Sequence, residues 1–77
     1  MIDKKIYNIL KKNFNLKNKQ KKIDLFKEGV IDSFGLFKLI DLLENEFKIQ
    51  IKLNNLSTKN LRTLDNIEKY IKKKLNS

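Results

Sequence analysis

The sequence predicts an all-α fold: a four-helix bundle with a long loop between helices 1 and 2 and a short third helix. Three segments repeat apolar residues at helical spacing, and a polar stretch separates the first two of them. No two segments alternate in a way that would pair as strands. We expect one domain over residues 1–77, because two cores in a chain of this length would each be too small to offset the entropy of ordering.

The first predicted helix runs from residue 3 to about residue 14, with Asp3 as a candidate N-cap. Its apolar residues follow one another at helical spacing: Ile6, Ile9, Leu10 and Phe14. Periodicity then stops. Residues 15–22, which include Leu16, are polar and basic overall and indicate an exposed loop.

The segment before the second helix has no helical period of its own. Two apolar pairs, Leu25-Phe26 and Val30-Ile31, flank Gly29 there and are expected to anchor the loop in the core. A connection of this length is uncommon in so small a domain, and long ordered loops are often functional. The loop is therefore a candidate part of a functional site.

The second predicted helix runs from Ser33 to Phe47. Its main apolar stripe is Phe37, Ile40, Leu43 and Phe47, widened by Leu36 and Leu39. Asp32 suits the N-cap position, because its carboxylate can accept a hydrogen bond from an unpaired backbone N–H and meets the positive end of the helix dipole. Ser33 is therefore expected at the N-terminus of this helix.

The last third of the chain is expected to hold a loop, a short helical turn and a final helix. Ile49 and Ile51 alternate with polar residues, but no partner strand is evident, so we assign a loop. Residues 55–62 can form only a short helical turn. Thr63 is a candidate cap for the final helix. The apolar residues of that helix repeat at spacings of three and four: Leu64, Ile67, Ile71 and Leu75.

The chain has neither cysteine nor histidine. Disulfides and thiolate ligands are therefore absent, as are the usual zinc ligands and the usual general base at neutral pH. We expect no metal site and no catalytic residue, and so a protein that is not an enzyme. The N-terminus lacks an apolar run of signal-peptide length, and no run is long enough to span a bilayer, which predicts a cytoplasmic protein.

The formal charge of +9 is unevenly distributed along the chain. Residues 24–46 hold six acids and only two lysines, whereas the rest of the chain holds sixteen basic residues against three acids. The six acids are Asp24, Glu28, Asp32, Asp41, Glu44 and Glu46. This acidic segment contains the second helix and stands out against a basic background.

One segment is specific enough to carry a resemblance. It reads Leu25-Phe26-Lys27-Glu28-Gly29-Val30-Ile31-Asp32-Ser33-Phe34-Gly35. This segment resembles the prosthetic-group site of acyl, peptidyl and D-alanyl carrier proteins. The shared order is an aliphatic–aromatic pair, an acid and glycine, two aliphatic residues, and then Asp-Ser before a large apolar residue. The similarity covers nearly the whole chain, since it continues through Leu39, Leu43, Glu44, Phe47, Thr63 and the last helix.

The resemblance implies a bundle of acyl-carrier type, a non-catalytic carrier function and 4′-phosphopantetheine, donated by coenzyme A, on Ser33. Asp32 would help to orient the transferase, and the cofactor thiol would carry an acyl or aminoacyl cargo as a thioester. The physical reading agrees, because a carrier serine must be exposed and a helix N-terminus favours the anionic phosphodiester.

The resemblance also implies partners. These are a phosphopantetheinyl transferase, a cargo-loading ligase or synthase and a downstream acceptor enzyme, as in lipid or cell-surface biosynthesis, with the carrier acting as a monomer. The implied partner face comprises Phe34, Phe37, Asp41, Glu44 and Glu46. On this face apolar side chains would anchor the partner and carboxylates would steer basic enzymes.

The same residues have other interpretations. Asp32 and Ser33 can form an ordinary helix cap without any modification. A core position is favoured for Phe37, as is usual for aromatic residues at helical spacing, and for Phe34 core and surface are both open.

The charged residues also have a second interpretation. Glu44 and Glu46 can belong to a solvated helix face, and the lysines to a solvated surface. The alternative function is a basic helical module that binds nucleic acid or an anionic membrane surface. Its support consists of Lys11-Lys12, Lys21-Lys22 and Lys72-Lys73-Lys74. Nucleic acid is the less favoured partner, because few aromatic residues are free to stack on bases.

Three differences from the carrier pattern indicate a specialised member. The chain is basic, whereas carriers are usually acidic. Gly35 and Lys38 stand where carriers often have acids, and Asp41 replaces an apolar residue commonly used for partner contact. These differences suit a dedicated carrier with its own ligase for an amino acid or a specialised acyl group.

Overall fold

The structure is a computed structural model that describes residues 2–16, 22–53 and 57–76. In chain order the helices are α1 (Ile2–Phe14), α2 (Ser33–Phe47), α3 (Ser57–Asn60) and α4 (Leu64–Leu75). Strands are absent from these three ranges, and the predicted all-α bundle with one long connection and a short third helix is confirmed. Within the same ranges, every helix is too short or too polar to be a membrane span.

The core is built from one apolar face of each long helix, because residues three and four apart lie on the same side. The buried side chains are Ile6 and Leu10 of α1, Leu36, Leu39, Ile40, Leu43 and Phe47 of α2, Leu64, Ile67 and Ile71 of α4, and Leu16, Leu25, Ile31, Ile51 and Leu61 of the connecting segments. α1 packs against both α2 and α4. It runs antiparallel to α2, since Lys5 pairs with Glu46 at one end and Phe14 lies beside Gly35 at the other.

The core position favoured for Phe37 is wrong, because this side chain is 58% exposed. Helical spacing alone could not exclude a core position for Phe37, since Phe37 lies three residues before the buried Ile40. Leu36 fits the buried face better, because it precedes Leu39 by three residues and Ile40 by four. The stripe through Leu36 therefore fills the core, and Phe37 lies outside it.

Two further apolar residues differ from expectation. Leu16, predicted to lie in an exposed loop, is buried. The chain leaves α1 through Asn15 in the left-handed conformation (φ 62°), and the Leu16 N–H then donates to Leu10 O at 3.3 Å. This turn directs Leu16 back onto the core. Leu75, predicted to continue the stripe of α4, is exposed at the end of that helix.

The helix ends follow local chemistry in most places. Thr63 caps α4 as predicted, since its Oγ1 accepts a hydrogen bond from Asn66 N at 3.0 Å. The N-cap assignment of Asp3 is wrong, because α1 begins at Ile2 and Asp3 lies within its first turn. A carboxylate there still meets the positive end of the helix dipole.

The connection from α2 to α4 matches the predicted loop and short turn. α2 ends at Phe47, and its C-cap residue Lys48 is in the left-handed conformation (φ 56°). Glu44 O accepts hydrogen bonds from the N–H groups of Lys48 and Ile49. Residues 49–53 form no strand, although Ile51 is buried. α3 is the predicted short turn; residues 54–56 lie outside the described ranges.

The loop before α2 is held by its predicted apolar anchors. Leu25 and Ile31 are buried, and Phe26 and Val30 are half-buried. Leu25 O accepts hydrogen bonds from Val30 N at 2.9 Å and Ile31 N at 3.0 Å, which joins the two anchor pairs. Of the predicted exposed segment 15–22, residues 17–21 lie outside the described ranges.

Gly29 turns the chain between these anchors with φ +75°, a conformation that L side chains rarely adopt. We expect Gly29→Ala to lower the free energy of unfolding by about 1 kcal/mol. A Cβ at Gly29 would meet no atom within 4 Å, so the loss would come from the backbone alone. Urea denaturation followed by circular dichroism measures it. Gly29→Asn is the control and should lose less, because asparagine tolerates this conformation; an equal loss would contradict the backbone explanation.

Candidate functional site

Ser33 is the first residue of α2 and its side chain is exposed. Asp32 directly before it has extended backbone angles (φ −113°, ψ −170°), and its Oδ1 accepts a hydrogen bond from Gly35 N at 2.7 Å. The predicted N-cap role of Asp32 is confirmed. Because the cap occupies only one of the first backbone N–H groups, the positive end of this 15-residue helix lies beside the Ser33 hydroxyl.

Gly35 permits a close approach at the start of α2. A Cβ at this position would lie 3.2 Å from Asp32 Oδ1 and 3.3 Å from Phe14 Cε1. Both distances are tighter than ordinary van der Waals contact, so a side chain here would push against the cap and against the end of α1. The absence of a side chain at Gly35 therefore lets α1 pack directly beside the capped end of α2.

A buried anchor directly precedes the exposed pair. Ile31 is 1% exposed, and the next two residues, Asp32 and Ser33, lie at the surface. The loop that leads to Ile31 is tied to the α3–α4 connection, because Leu25 N donates to Arg62 O at 2.8 Å. The backbone on the N-terminal side of Ser33 is thus fixed by burial and by hydrogen bonds, while the hydroxyl stays accessible.

Arg62 supports the same loop with its side chain, a contact that sequence reasoning missed. Its Nε lies 3.7 Å from Asp24 Oδ2, and its guanidinium lies over the ring of Phe26, 5.9 Å from the centroid. Asp24 Oδ1 in turn accepts hydrogen bonds from Phe26 N and Lys27 N. One signal was available: Arg62 is the only arginine in a chain with seventeen lysines, and arginine suits sites that combine an ion pair with stacking.

The outer face of α2 is exposed and carries two large aromatic side chains. We define this face by Phe34, Phe37, Lys38, Asp41, Asn45 and Lys48, all of which are exposed. The sequence left both a core and a surface position open for Phe34, and at 86% exposed this side chain lies at the surface. Exposed aromatic residues next to each other on a helix are typical of interaction surfaces.

Glu44 has a structural contact in addition to any role toward a partner. It is half-buried, and its Oε2 accepts a hydrogen bond from Ile51 N at 2.7 Å. Burial, and then the charge of Glu44, raise the pKa of Tyr70 on α4. Glu44 thus holds the chain after α2 against the bundle, which differs from a freely solvated helix face. Its predicted partner role stays a prediction.

Glu46 lies on a different side of α2 from Phe34 and Phe37. Its carboxylate is 3.7 Å from Lys5 Nζ of α1, and both side chains border a shallow groove between α1 and α2. Asp41, in contrast, lies on the outer face together with the two phenylalanines. The structure therefore brings Phe34, Phe37 and Asp41 together and separates Glu46 from them; the partner role of all of them stays a prediction.

The acidic side chains in the part of the chain that the structure describes make separate contacts. No group of three or more aspartates and glutamates there is arranged to hold a metal ion. Asp32 contacts Gly35 N, and Asp24 contacts the loop and Arg62. The chemistry that this site offers is an accessible hydroxyl at a helix N-terminus, beside an apolar surface.

Asp32 allows a test that separates the cap from the charge. We expect Asp32→Ala to lower the free energy of unfolding by about 1 kcal/mol, because Gly35 N loses its acceptor. Asp32→Asn keeps a side-chain oxygen and should lose less than half of that. Urea denaturation of the three proteins measures both effects. Equal losses in the two variants would show that charge, rather than the hydrogen bond, provides the stabilisation.

Tyr70 reports on the contact with Glu44. The pKa of Tyr70 is raised above 10.0, the value for an unfolded tyrosine, so the folded state holds the phenol proton more tightly than the unfolded state does. The free energy of unfolding should therefore fall as the pH rises through 10 and above. Glu44→Gln keeps an acceptor for Ile51 N and removes the charge. It should lower the pKa of Tyr70 part of the way, because burial remains.

The measurement is a phenolate absorbance titration in a Tyr7→Phe background, which leaves Tyr70 as the only tyrosine. The parent with Tyr7→Phe alone is the control. An unchanged or higher pKa in Glu44→Gln would contradict the influence of the carboxylate.

Comparison with known protein families identifies a family for this chain. The family model described as phosphopantetheine attachment site matches residues 4–71, which include nearly all of α1, the whole of α2 and α3, and most of α4. Comparison with the curated proteins returns no match. Proteins of this family are non-catalytic carriers that bear 4′-phosphopantetheine. Because the match covers far more than half of the chain, this protein belongs to the phosphopantetheine-binding acyl carrier protein family.

Proposed function

We propose that Ser33 is the attachment site of 4′-phosphopantetheine and that the protein transports an acyl or aminoacyl cargo between partner enzymes in the cytoplasm. The observation that carries the proposal is the exposed Ser33 hydroxyl at the N-terminus of α2, directly after the Asp32 cap and within the range of the family match. When attached, the group supplies a thiol that holds the cargo as a thioester.

The surroundings of Ser33 fit such a group. The neighbouring Phe34 side chain is directed into solvent, and Asp32 is held by Gly35 N, so the hydroxyl is open to a second protein. A phosphodiester at this point would meet the positive end of the α2 dipole and unpaired backbone N–H groups. The exposed site therefore suits both the unmodified serine and the modified one.

Ser33 takes part in its own modification as the nucleophile. Its Oγ attacks the phosphorus next to the pantetheine of coenzyme A and loses its proton. The new oxygen–phosphorus bond forms as the bond to adenosine 3′,5′-bisphosphate breaks. In this proposal the charge stabilisation comes mainly from the transferase and its metal ion. The chain has no histidine to act as a general base at neutral pH.

The outer face of α2 is proposed as the surface that the transferase, the loading enzyme and the acceptor enzyme contact in turn. Phe34 and Phe37 offer apolar anchors a few residues from Ser33, and Asp32 would help to orient the transferase. The alternative, a basic helical module that binds nucleic acid or an anionic membrane surface, is supported less well, because Lys72, one of the lysines on which it depends, pairs with Glu68 on α4 itself.

Intact mass spectrometry tests the attachment site. After incubation with a promiscuous phosphopantetheinyl transferase, magnesium and coenzyme A, we expect the protein to gain the mass of one phosphopantetheine. Ser33→Ala should gain none, because the attacking oxygen is gone. Ser57→Ala is the matched control and should gain it like the parent. The assignment of Ser33 would be contradicted by an adduct on Ser33→Ala. It would also be contradicted if the folded parent gained no adduct with any transferase.

A further inference from the structure

The acids near the outer face of α2 are largely engaged within the chain. Glu44 accepts a hydrogen bond from Ile51 N, and Glu46 pairs with Lys5 on the side that faces α1. Of the three acids on α2, only Asp41 lies on the outer face. The acidic character that the sequence of this helix suggests is therefore weak on the surface where a partner would dock.

Cations border that face instead. Lys38 lies between the phenylalanines and Asp41, with its Nζ 5.8 Å from the centre of the Phe14 ring. Lys48 lies at the end of the face, and Lys48 and Lys52 both line an open hollow at the C-terminal end of α2. Lysines at this end also meet the negative end of the helix dipole, which is a favourable interaction.

The charge of the whole molecule acts in the same direction. With a formal net charge of +9, the protein attracts acidic surfaces and repels basic ones before contact is made. Two lysines against one aspartate on the outer face keep the local balance positive at short range. Long-range steering and the local contact surface therefore both select for a partner of the opposite sign, an acidic one.

We propose that the enzymes dedicated to this carrier dock on the outer face of α2 through an acidic surface, with an apolar pocket for Phe34 and Phe37 and carboxylates opposite Lys38 and Lys48. The proposal rests on the proposed carrier function for the position of the docking face. It replaces the expectation that carboxylates of this chain steer basic enzymes. Such a partner must tolerate Asp41, one turn after Lys38 on the helix, and the exposed Asp32 beside Ser33.

Nuclear magnetic resonance titration of the isotope-labelled parent protein tests the sign of the partner. The probes are two amphipathic helical peptides with the same leucine face, one flanked by glutamates and the other by lysines. We expect the glutamate peptide to shift backbone amides of residues 34–48 and to bind roughly tenfold more tightly than the lysine peptide at low salt. Phe34→Ala with Phe37→Ala should abolish the shifts.

Charge-swap variants complete the test. Lys38→Glu with Lys48→Glu should remove or reverse the preference, whereas the charge-matched control Lys11→Glu with Lys73→Glu, on α1 and α4, should keep it. Equal binding of both peptides would overturn the proposal, and so would shifts centred on the α4 lysines instead of α2. This titration needs no prosthetic group. A mass gain on Ser33 without a peptide preference would therefore overturn only the acidic partner, and a preference without a mass gain would overturn only the carrier role.

Discussion

Leu25 and Ile31 are both buried, and the hydrogen bond from Leu25 N to Arg62 O ties the start of this loop to the connection between α3 and α4. The position of Ser33 depends on this arrangement. Ile31 is held in the core, and two residues later the serine is exposed. The long connection is thus a support for the serine, and its apolar anchors explain why it can be ordered without forming a helix of its own.

The acidic segment has a structural explanation that its sequence does not reveal. Asp24 accepts backbone N–H groups in the loop, Asp32 caps α2, and Glu44 accepts the N–H of Ile51. Carboxylates are strong acceptors for backbone donors where the chain turns. Several acids of residues 24–46 therefore have structural contacts within the chain.

Local rules predicted much of this molecule. The caps Asp32 and Thr63 were predicted from sequence because a cap depends only on the residues that follow it. The anchors Leu25 and Ile31 were predicted because apolar residues in an otherwise aperiodic loop need a place in the core. The position of Ser33 at the start of α2 followed from the same reasoning, whereas its exposure was expected from the carrier role. Its modification was suggested by the resemblance and stays a proposal.

Tertiary choices escaped prediction. Phe37 and Leu36 both fit a helical stripe, and only the packing of the neighbouring helices decides which of them is buried. Leu16 is buried because a left-handed residue reverses the chain after α1. Arg62 and Asp24 form an ion pair across 38 positions of sequence, and Glu44 accepts a hydrogen bond from Ile51, seven positions later and beyond the end of α2. Helical spacing carries no information on either pair.

The close approach at Gly35 has a consequence for how this protein can change over evolutionary time. Phe14, Asp32 and Gly35 share one small volume at the junction of α1 and α2. A larger residue at position 35 requires a smaller side chain at position 14 or a displaced cap. An acid there would in addition bring a second carboxylate near that of Asp32, and like charges repel. These three positions are therefore expected to covary in descendants of this chain, and an exchange at one of them constrains the other two.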